Sequence, residues 1–296
     1  MENNTQSTTI EQPSHEVTIY AEPIFHIGGM GITNSLLTSW LAVLVVLFLS
    51  LAIRLNLKKI PGKLQNIFEV LLEGALSLCD QVTNDRKLSL KIFPFVFSLF
   101  LFILINNWLG LLPVLGSIGL IVKEGTHSAF VPFLRSGTAD INTTLALSIM
   151  VVVGSNLFGA ITIGIWKSFN KYVNLKGLAT MFTHVRKDPS VLIVAPINFF
   201  VGLLELLGEV AKIASLSFRL FGNVFAGEVL LASMAAIFAY LVPGPFLFLE
   251  VFVGLIQALI FSLLTTVYFT IASQDHDKHD EHEEHTEKNE EVLVGV

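Results

Sequence analysis

Five apolar runs, each long enough to cross a bilayer as a helix, constrain this chain more than any other feature. They predict spans at about 35–54, 92–112, 141–166, 191–239 and 246–272; about 20 helical residues cover the ~30 Å of hydrocarbon in a membrane. The first run, SLLTSWLAVLVVLFLSLAI, carries no charge at all. The fourth is interrupted by Glu205, Glu209, Lys212, Arg219 and Glu228, and the fifth only by Glu250 and Gln257. Between them, Pro243-Gly244-Pro245 is a turn signal that argues against one continuous helix. The last two spans are therefore expected to form a long helical hairpin. With 53% hydrophobic and 14% charged residues, the chain has the composition of an all-α integral membrane protein.

Residues 63–83 behave differently. KLQNIFEVLLEGALSLCDQV places Ile67, Val70, Leu71 and Leu78 against Gln65, Asn66, Glu69, Glu73 and Asp80. That alternation is the pattern of an amphipathic helix lying at the membrane interface. The predicted organisation is thus a polar segment 1–33, a membrane domain 34–273 with five spans and one interfacial helix, and an acidic, His-rich tail 274–296.

Basic residues set the expected orientation, because Lys and Arg in short loops are retained on the cytoplasmic side. Arg54, Lys58, Lys59, Lys63, Arg86, Lys87 and Lys91 fall between the first two spans, and Lys167, Lys171, Lys176, Arg186 and Lys187 between the third and fourth. Segment 1–33 has no Lys or Arg, and loop 113–140 has only Lys123 and Arg135. These are expected outside, and five spans then put the tail in the cytoplasm. The N-terminus lacks a basic stretch followed by a short apolar run, so it is not expected to be a signal peptide.

The tail holds nine acids and two lysines, a charge of −7 on a chain whose net charge is −6. Its four histidines interleave with carboxylates, which are both metal ligands, but a solvated, self-repelling end accounts for such a run without a metal. No metal site and no cofactor is expected. The single cysteine, Cys79, excludes an internal disulfide and is read as a small packed residue. His127 and His184 fall in loops and are read as solvated. Without a GxxxxGK[ST] phosphate loop, no nucleotide chemistry is assigned to the chain, and nothing points to nucleic acid.

The ionisable groups inside the spans carry the functional information, since a charge near the bilayer centre costs about 2.5–3.5 kcal/mol on insertion scales and faces protein or water by default. At about 100° per residue, Glu205, Lys212 and Arg219 repeat every seven residues and share one helix face. Ser215 and Asn223 lie one turn to either side of Arg219. Glu228, nine residues beyond Arg219, falls near the opposite side of an ideal helix, in a separate polar environment unless the helix distorts near Gly222 or Gly227. Glu250 and Gln257 share a face of the last span, with Thr265 beyond them. Asp140 and Asn142 open the third span in the manner of an N-cap. Taken without any motif, Arg219 is also compatible with a buried ion pair to Glu205 or Glu209, Gln257 and Asn223 with interhelical hydrogen bonding, and Lys212 with a snorkelling anchor.

SLSFRLFGNVFAGE (215–228) resembles, nearly residue for residue, the signature of subunit a of F-type ATP synthase, and so does GLIQALIFSLLTTVY (254–268). TADINTTLAL (138–147) and NNWLGLLP (106–113) resemble the weaker upstream motifs of that family. The likeness covers about 32–273 and leaves out both polar ends. It implies a stator subunit whose final helical hairpin packs on a ring of c subunits, held by b-type peripheral stalk subunits in a bacterial plasma (inner) membrane. Ions would enter and leave the rotor carboxylates through two aqueous half-channels. By position, Arg219 matches the essential arginine, while Glu205, Asn223, Glu228, Glu250 and Gln257 match ion-pathway positions; Lys212, Ser215, Asp140 and Asn142 are secondary candidates. A guanidinium stays protonated and cannot relay a proton, so it would keep the half-channels apart. The drive is adequate in scale, since one charge moved through 100 mV is worth about 2.3 kcal/mol. Some relatives have His at one of the Glu228 and Glu250 positions; with Glu at both, two neighbouring carboxyls are expected not to ionise together. A stand-alone ion transporter or channel is the alternative, and a purely structural anchor a third class. Transporters commonly show two related halves, and no such repeat is visible here.

Overall fold

The computed structural model describes residues 21–27, 30–58, 62–112, 118–124, 127–164, 191–237 and 243–274. The expectations for segment 1–20, for Lys59, for the basic run 167–187 with His184, for the link 238–242 and for the tail beyond 274 lie outside these residues.

Six long helices dominate. They are α1 (Asn34–Leu55), α2 (Lys63–Thr83), α3 (Arg86–Gly110), α4 (Ile141–Ile163), α5 (Val191–Ile237) and α6 (Pro243–Ser273). All but α2 contain a stretch long and apolar enough to cross a membrane, so the protein is an all-α, multi-pass membrane protein. With 47 residues, α5 has more than twice the roughly 20 that a crossing needs.

Helix ends follow local chemistry. Thr33 Oγ1 accepts from Leu36 N at 3.3 Å and caps α1, whose last turn carries Arg54. At the α2–α3 junction Asn84 adopts φ 51°, a left-handed conformation that asparagine tolerates. The next residue, Asp85, accepts from Lys87 N through Oδ1 at 2.8 Å and starts α3. Because of that cap α3 begins at Arg86 instead of about 92, and Arg86, Lys87 and Lys91 belong to the helix. The turn expected at Pro243-Gly244-Pro245 is instead the first turn of α6. First-turn N–H groups have no intrahelical partner, so proline is tolerated there.

Two antiparallel hairpins were not anticipated. β1 (Pro23–Ile27) pairs with β2 (Met30–Thr33), and β3 (Gly119–Glu124) pairs with β4 (His127–Pro132) in a register that sets Gly119 opposite Pro132 and Glu124 opposite His127. A short 3-10 turn at Gly137–Ala139 then leads into α4.

The chain divides into two compact units. One comprises Met1–Ala75, Phe95–Leu147 and Ser215–Ser262. Its interior is strongly hydroxylated and amide-rich: Asn34, Ser35, Thr38, Asn106, Asn107, Thr138 and Thr144 are buried beside Ile103, Leu216, Leu220 and Phe261. Conversely, Leu44, Leu47, Phe48 and Leu51 of α1 are exposed. Polar groups inside and apolar groups outside is the arrangement expected where the surrounding solvent is lipid.

The other unit comprises Leu76–Pro94, Ser148–Ala214 and Leu263–Val296. Here Phe158 packs on Phe269 with ring centroids 5.5 Å apart, and Gly159 admits the backbone of Ala272 so closely that a Cβ would meet its carbonyl oxygen at 2.3 Å. Cys79 is buried, with its sulfur 3.8 Å from Thr266 Oγ1. Thr83 and Ser89 share a hydroxyl hydrogen bond of 2.6 Å across the α2–α3 turn.

Candidate functional site

In the first unit, α3, α5, α6 and the segment before α4 border a partly open cavity of about 20 Å³, room for about one water molecule. Asn223, Glu228, Glu250 and Gln257 all line it, together with Asn107 and Ser136. Four of the five residues assigned to the ion pathway other than Arg219 are thus brought to one place by α5 and α6.

Backbone contacts hold these helices close. Asn107 Nδ2 donates to Gly254 O at 3.1 Å and Trp108 Nε1 to Val251 O at 3.1 Å, tying α3 to α6. A Cβ at Gly227 would lie 2.3 Å from Glu250 Oε2, so only glycine lets that carboxyl group rest against α5. Asn223 Nδ2 donates to Gln257 Oε1. Gln257 is only 3% exposed, and among the described residues its Nε2 has no acceptor. An unmet buried donor is costly, and a water in the cavity would satisfy it.

Glu228 has a partner that sequence reading missed. Arg135 donates to Glu228 Oε2 through Nε at 3.0 Å and Nη2 at 2.8 Å, with the two side chains 10% and 22% exposed. The arginine is delivered there by a firmly anchored turn. Ser136 Oγ donates to Asn106 O at 3.3 Å, and Thr138 Oγ1 donates to Asn107 Oδ1 at 2.7 Å. Gly137 packs against α1 and α3 so tightly that a Cβ would meet Ser39 Oγ at 2.3 Å and Asn106 Oδ1 at 2.6 Å. The available signal was an arginine beside the apolar stretch FVPFL, next to spans whose carboxylates need partners.

Arg219 is placed otherwise. It is exposed on α5, as are Ser215, Phe218, Asn223 and Ala226. Its Nη2 reaches Ser215 Oγ at 3.5 Å, and among the described residues no carboxylate lies within ion-pair distance of it. The buried Arg219 pair to Glu205 or Glu209 is therefore not formed. In the same helix, buried Leu216, Ser217 and Leu220 turn inward, with Ser217 Oγ 3.1 Å from Thr144 Oγ1. Arg219 thus stands on a face of α5 that the described residues leave exposed.

The remaining candidates fall elsewhere. In the second unit Lys212 Nζ donates to Glu209 Oε1 at 2.8 Å and lies 5.4 Å from the ring centre of Tyr268, while Asn156 Nδ2 donates to Glu209 Oε2 at 3.1 Å. Glu205 Oε2 is buried and, among the described residues, has no donor. Asp140 has cap geometry: its Oδ1 accepts from Asn142 N at 3.1 Å and from Asn142 Nδ2 at 3.3 Å at the start of α4. Among the described residues no group of three or more His, Cys, Asp or Glu is arranged to hold a metal ion.

A multi-pass helical membrane protein with arginines and carboxyl groups built into its spans is the class that this fold and these sites define. Residues 36–270 match the family described as ATP synthase A chain. The chain is 35% identical over 251 residues to ATP synthase subunit a of Mycobacterium tuberculosis (strain CDC 1551 / Oshkosh), covering 82% of this chain and 87% of the relative. The same identity and coverage hold for ATP synthase subunit a of Mycobacterium bovis (strain ATCC BAA-935 / AF2122/97). For that of Mycobacterium ulcerans (strain Agy99) the identity is 35% over 256 residues, with 82% and 89% covered. The chain belongs to the ATP synthase A chain family.

Proposed function

We propose that this chain is the membrane stator subunit a of an F-type ATP synthase in a bacterial plasma membrane. With its N-terminus outside and its C-terminus in the cytoplasm, it couples transmembrane H⁺ or Na⁺ flow to rotation of a c-subunit ring. The observation that carries this reading is Arg219, exposed on a membrane span and, among the described residues, without a carboxylate partner. A permanent cation facing lipid is unfavourable by several kcal/mol. A carboxylate brought by another chain relieves that penalty, and a carboxylate that arrives and departs makes it a working device. Small neighbours on the same face, Ser215, Gly222, Asn223 and Ala226, let a partner helix approach closely.

In this reading the cavity lined by Asn223, Glu228, Glu250 and Gln257 belongs to one half-channel, and Glu205 with its unmatched carboxylate oxygen to the other. Arg219 blocks direct passage between them, so ions cross only by riding the ring. Lys212 and Ser215 flank the pathway as secondary polar groups. Asp140 and Asn142 act through the cap of α4. The b-type peripheral stalk holds the chain against the torque, membrane lipid covers its apolar flanks, and ATP chemistry takes place on other subunits.

The test is Arg219→Ala in inverted membrane vesicles that carry the whole complex, scoring ATP-driven cation pumping beside assembly on native gels. A stator loses pumping while the complex still assembles. Pumping that survives the substitution, or cation transport by the chain reconstituted alone, would sink the proposal.

A further inference from the structure

Resting on the stator reading above, we propose that Arg135 is a positioning residue of the ion pathway: it clamps Glu228 as a fixed anionic wall of the cavity and leaves Glu250 as the carboxyl group that takes up and releases the transported ion.

Two carboxyl groups line the same small cavity, and their surroundings differ. Glu228 receives two nitrogens of one guanidinium on a single oxygen, at 3.0 and 2.8 Å. Such a two-nitrogen contact fixes both charge and orientation. The segment bearing Arg135 is itself immobilised, by the Ser136 and Thr138 hydrogen bonds to α3 and by the close approach of Gly137 to Ser39 and Asn106. Glu250 faces the bare backbone at Gly227 and, among the described residues, forms no ion pair. The donor-bearing amide of Gln257 opens on the same cavity. Of the titratable and charged groups that line the cavity with Glu250 among the described residues, α5 contributes Glu228, which is itself paired with Arg135 of the segment before α4, while α3 and the rest of α6 contribute only amides, Asn107 and Gln257. An ion that exchanged on Glu228 would have to compete with a covalently tethered, permanently charged guanidinium. One that exchanges on Glu250 competes with none.

The division of labour predicts displacements of opposite sign in the pH profile of ATP-driven cation transport by the assembled complex in inverted vesicles. Arg135→Gln leaves the Glu228 charge uncompensated beside Glu250, so the profile moves to higher pH and transport at neutral pH falls about tenfold or more. Glu228→Gln leaves the Arg135 charge uncompensated, and the profile moves to lower pH. The double variant Arg135→Gln/Glu228→Gln removes both charges and recovers most of the loss caused by Arg135→Gln. Glu250→Gln abolishes transport.

Unchanged profiles in both single variants, shifts of the same sign, or a double variant no better than Arg135→Gln would overturn the assignment. If Arg135→Gln does not assemble, Glu228→Gln decides the matter, because an unmoved profile overturns the proposal and a shift to lower pH upholds it. Arg219→Ala run in parallel separates the two readings. Pumping lost there, with no displacement at Arg135 or Glu228, removes this inference and leaves the stator role intact; pumping retained there removes both.

Discussion

The carboxyl group of Glu250 lies against Gly227 so closely that a Cβ added to the glycine would meet Oε2 at 2.3 Å and Oε1 at 2.7 Å. Gly227→Ala should therefore displace the end of a flexible side chain and leave the backbones in place. Alanine gains about 1 kcal/mol of helix propensity over glycine, so thermal stability in detergent should hold or rise. A misplacement of about 1 Å at a working group costs up to about 100-fold in rate, and ATP-driven transport should fall by at least tenfold. Equal losses in stability and transport would show that Gly227 serves packing alone.

Gly137→Ala should behave in the opposite way. Its new Cβ meets Ser39 Oγ, Asn106 Oδ1 and the backbone oxygen of Ser35, at 2.3, 2.6 and 3.3 Å. Overpacking of this kind costs about 1–3 kcal/mol, and a lowered melting temperature of the purified complex would register it. The same displacement loosens the turn that carries Arg135, so any transport that remains should show the higher-pH profile expected of Arg135→Gln.

Asp140→Ala removes an acceptor from the first turn of α4. Loss of an N-cap costs about 1 kcal/mol, seen as a modest drop in melting temperature, and Asp140→Asn should restore most of it. Transport per assembled complex should keep the parental pH profile in both variants. A displaced profile in Asp140→Ala would return this residue to the ion pathway.

Cys79 is the only thiol, which makes it a direct probe. Burial pushes its thiol up from the ordinary value, more than the Thr266 hydroxyl draws it down. The reactive thiolate is therefore scarce at neutral pH. Maleimide should label the native complex at less than about a tenth of the rate of the denatured chain, and labelling should rise only at alkaline pH. Rapid labelling at pH 7 would mean that α2 separates from Thr266 in solution.

Much of this molecule is legible locally. The length and composition of an apolar run are properties of consecutive residues, so the five crossings need no knowledge of packing. The 3.6-residue period puts Glu205, Lys212, Ser215, Arg219 and Asn223 on one side of α5, and that holds for any regular helix. Helix ends were less readable. A left-handed Asn84 followed by the Asp85 cap moves the start of α3 to Arg86, and prolines that usually mark a turn serve α6 as its first turn. The two hairpins went unread because strands of four to six residues are too short to carry a clear periodic signal.

What the order of residues determined alone was the class of protein, its crossings and the family signature around Arg219, because hydrophobic length, helical period and motif are encoded along the chain. Which charges are neutralised within it was decided only by the tertiary structure. Arg135 and Glu228 lie 93 positions apart, and no periodicity relates them. Their contact exists because hydroxyl and amide bonds pin the segment before α4 to α3 while α5 passes beside it. The same packing leaves Arg219 exposed: a helix buries one face among its neighbours, and which face remains open depends on where those neighbours stand.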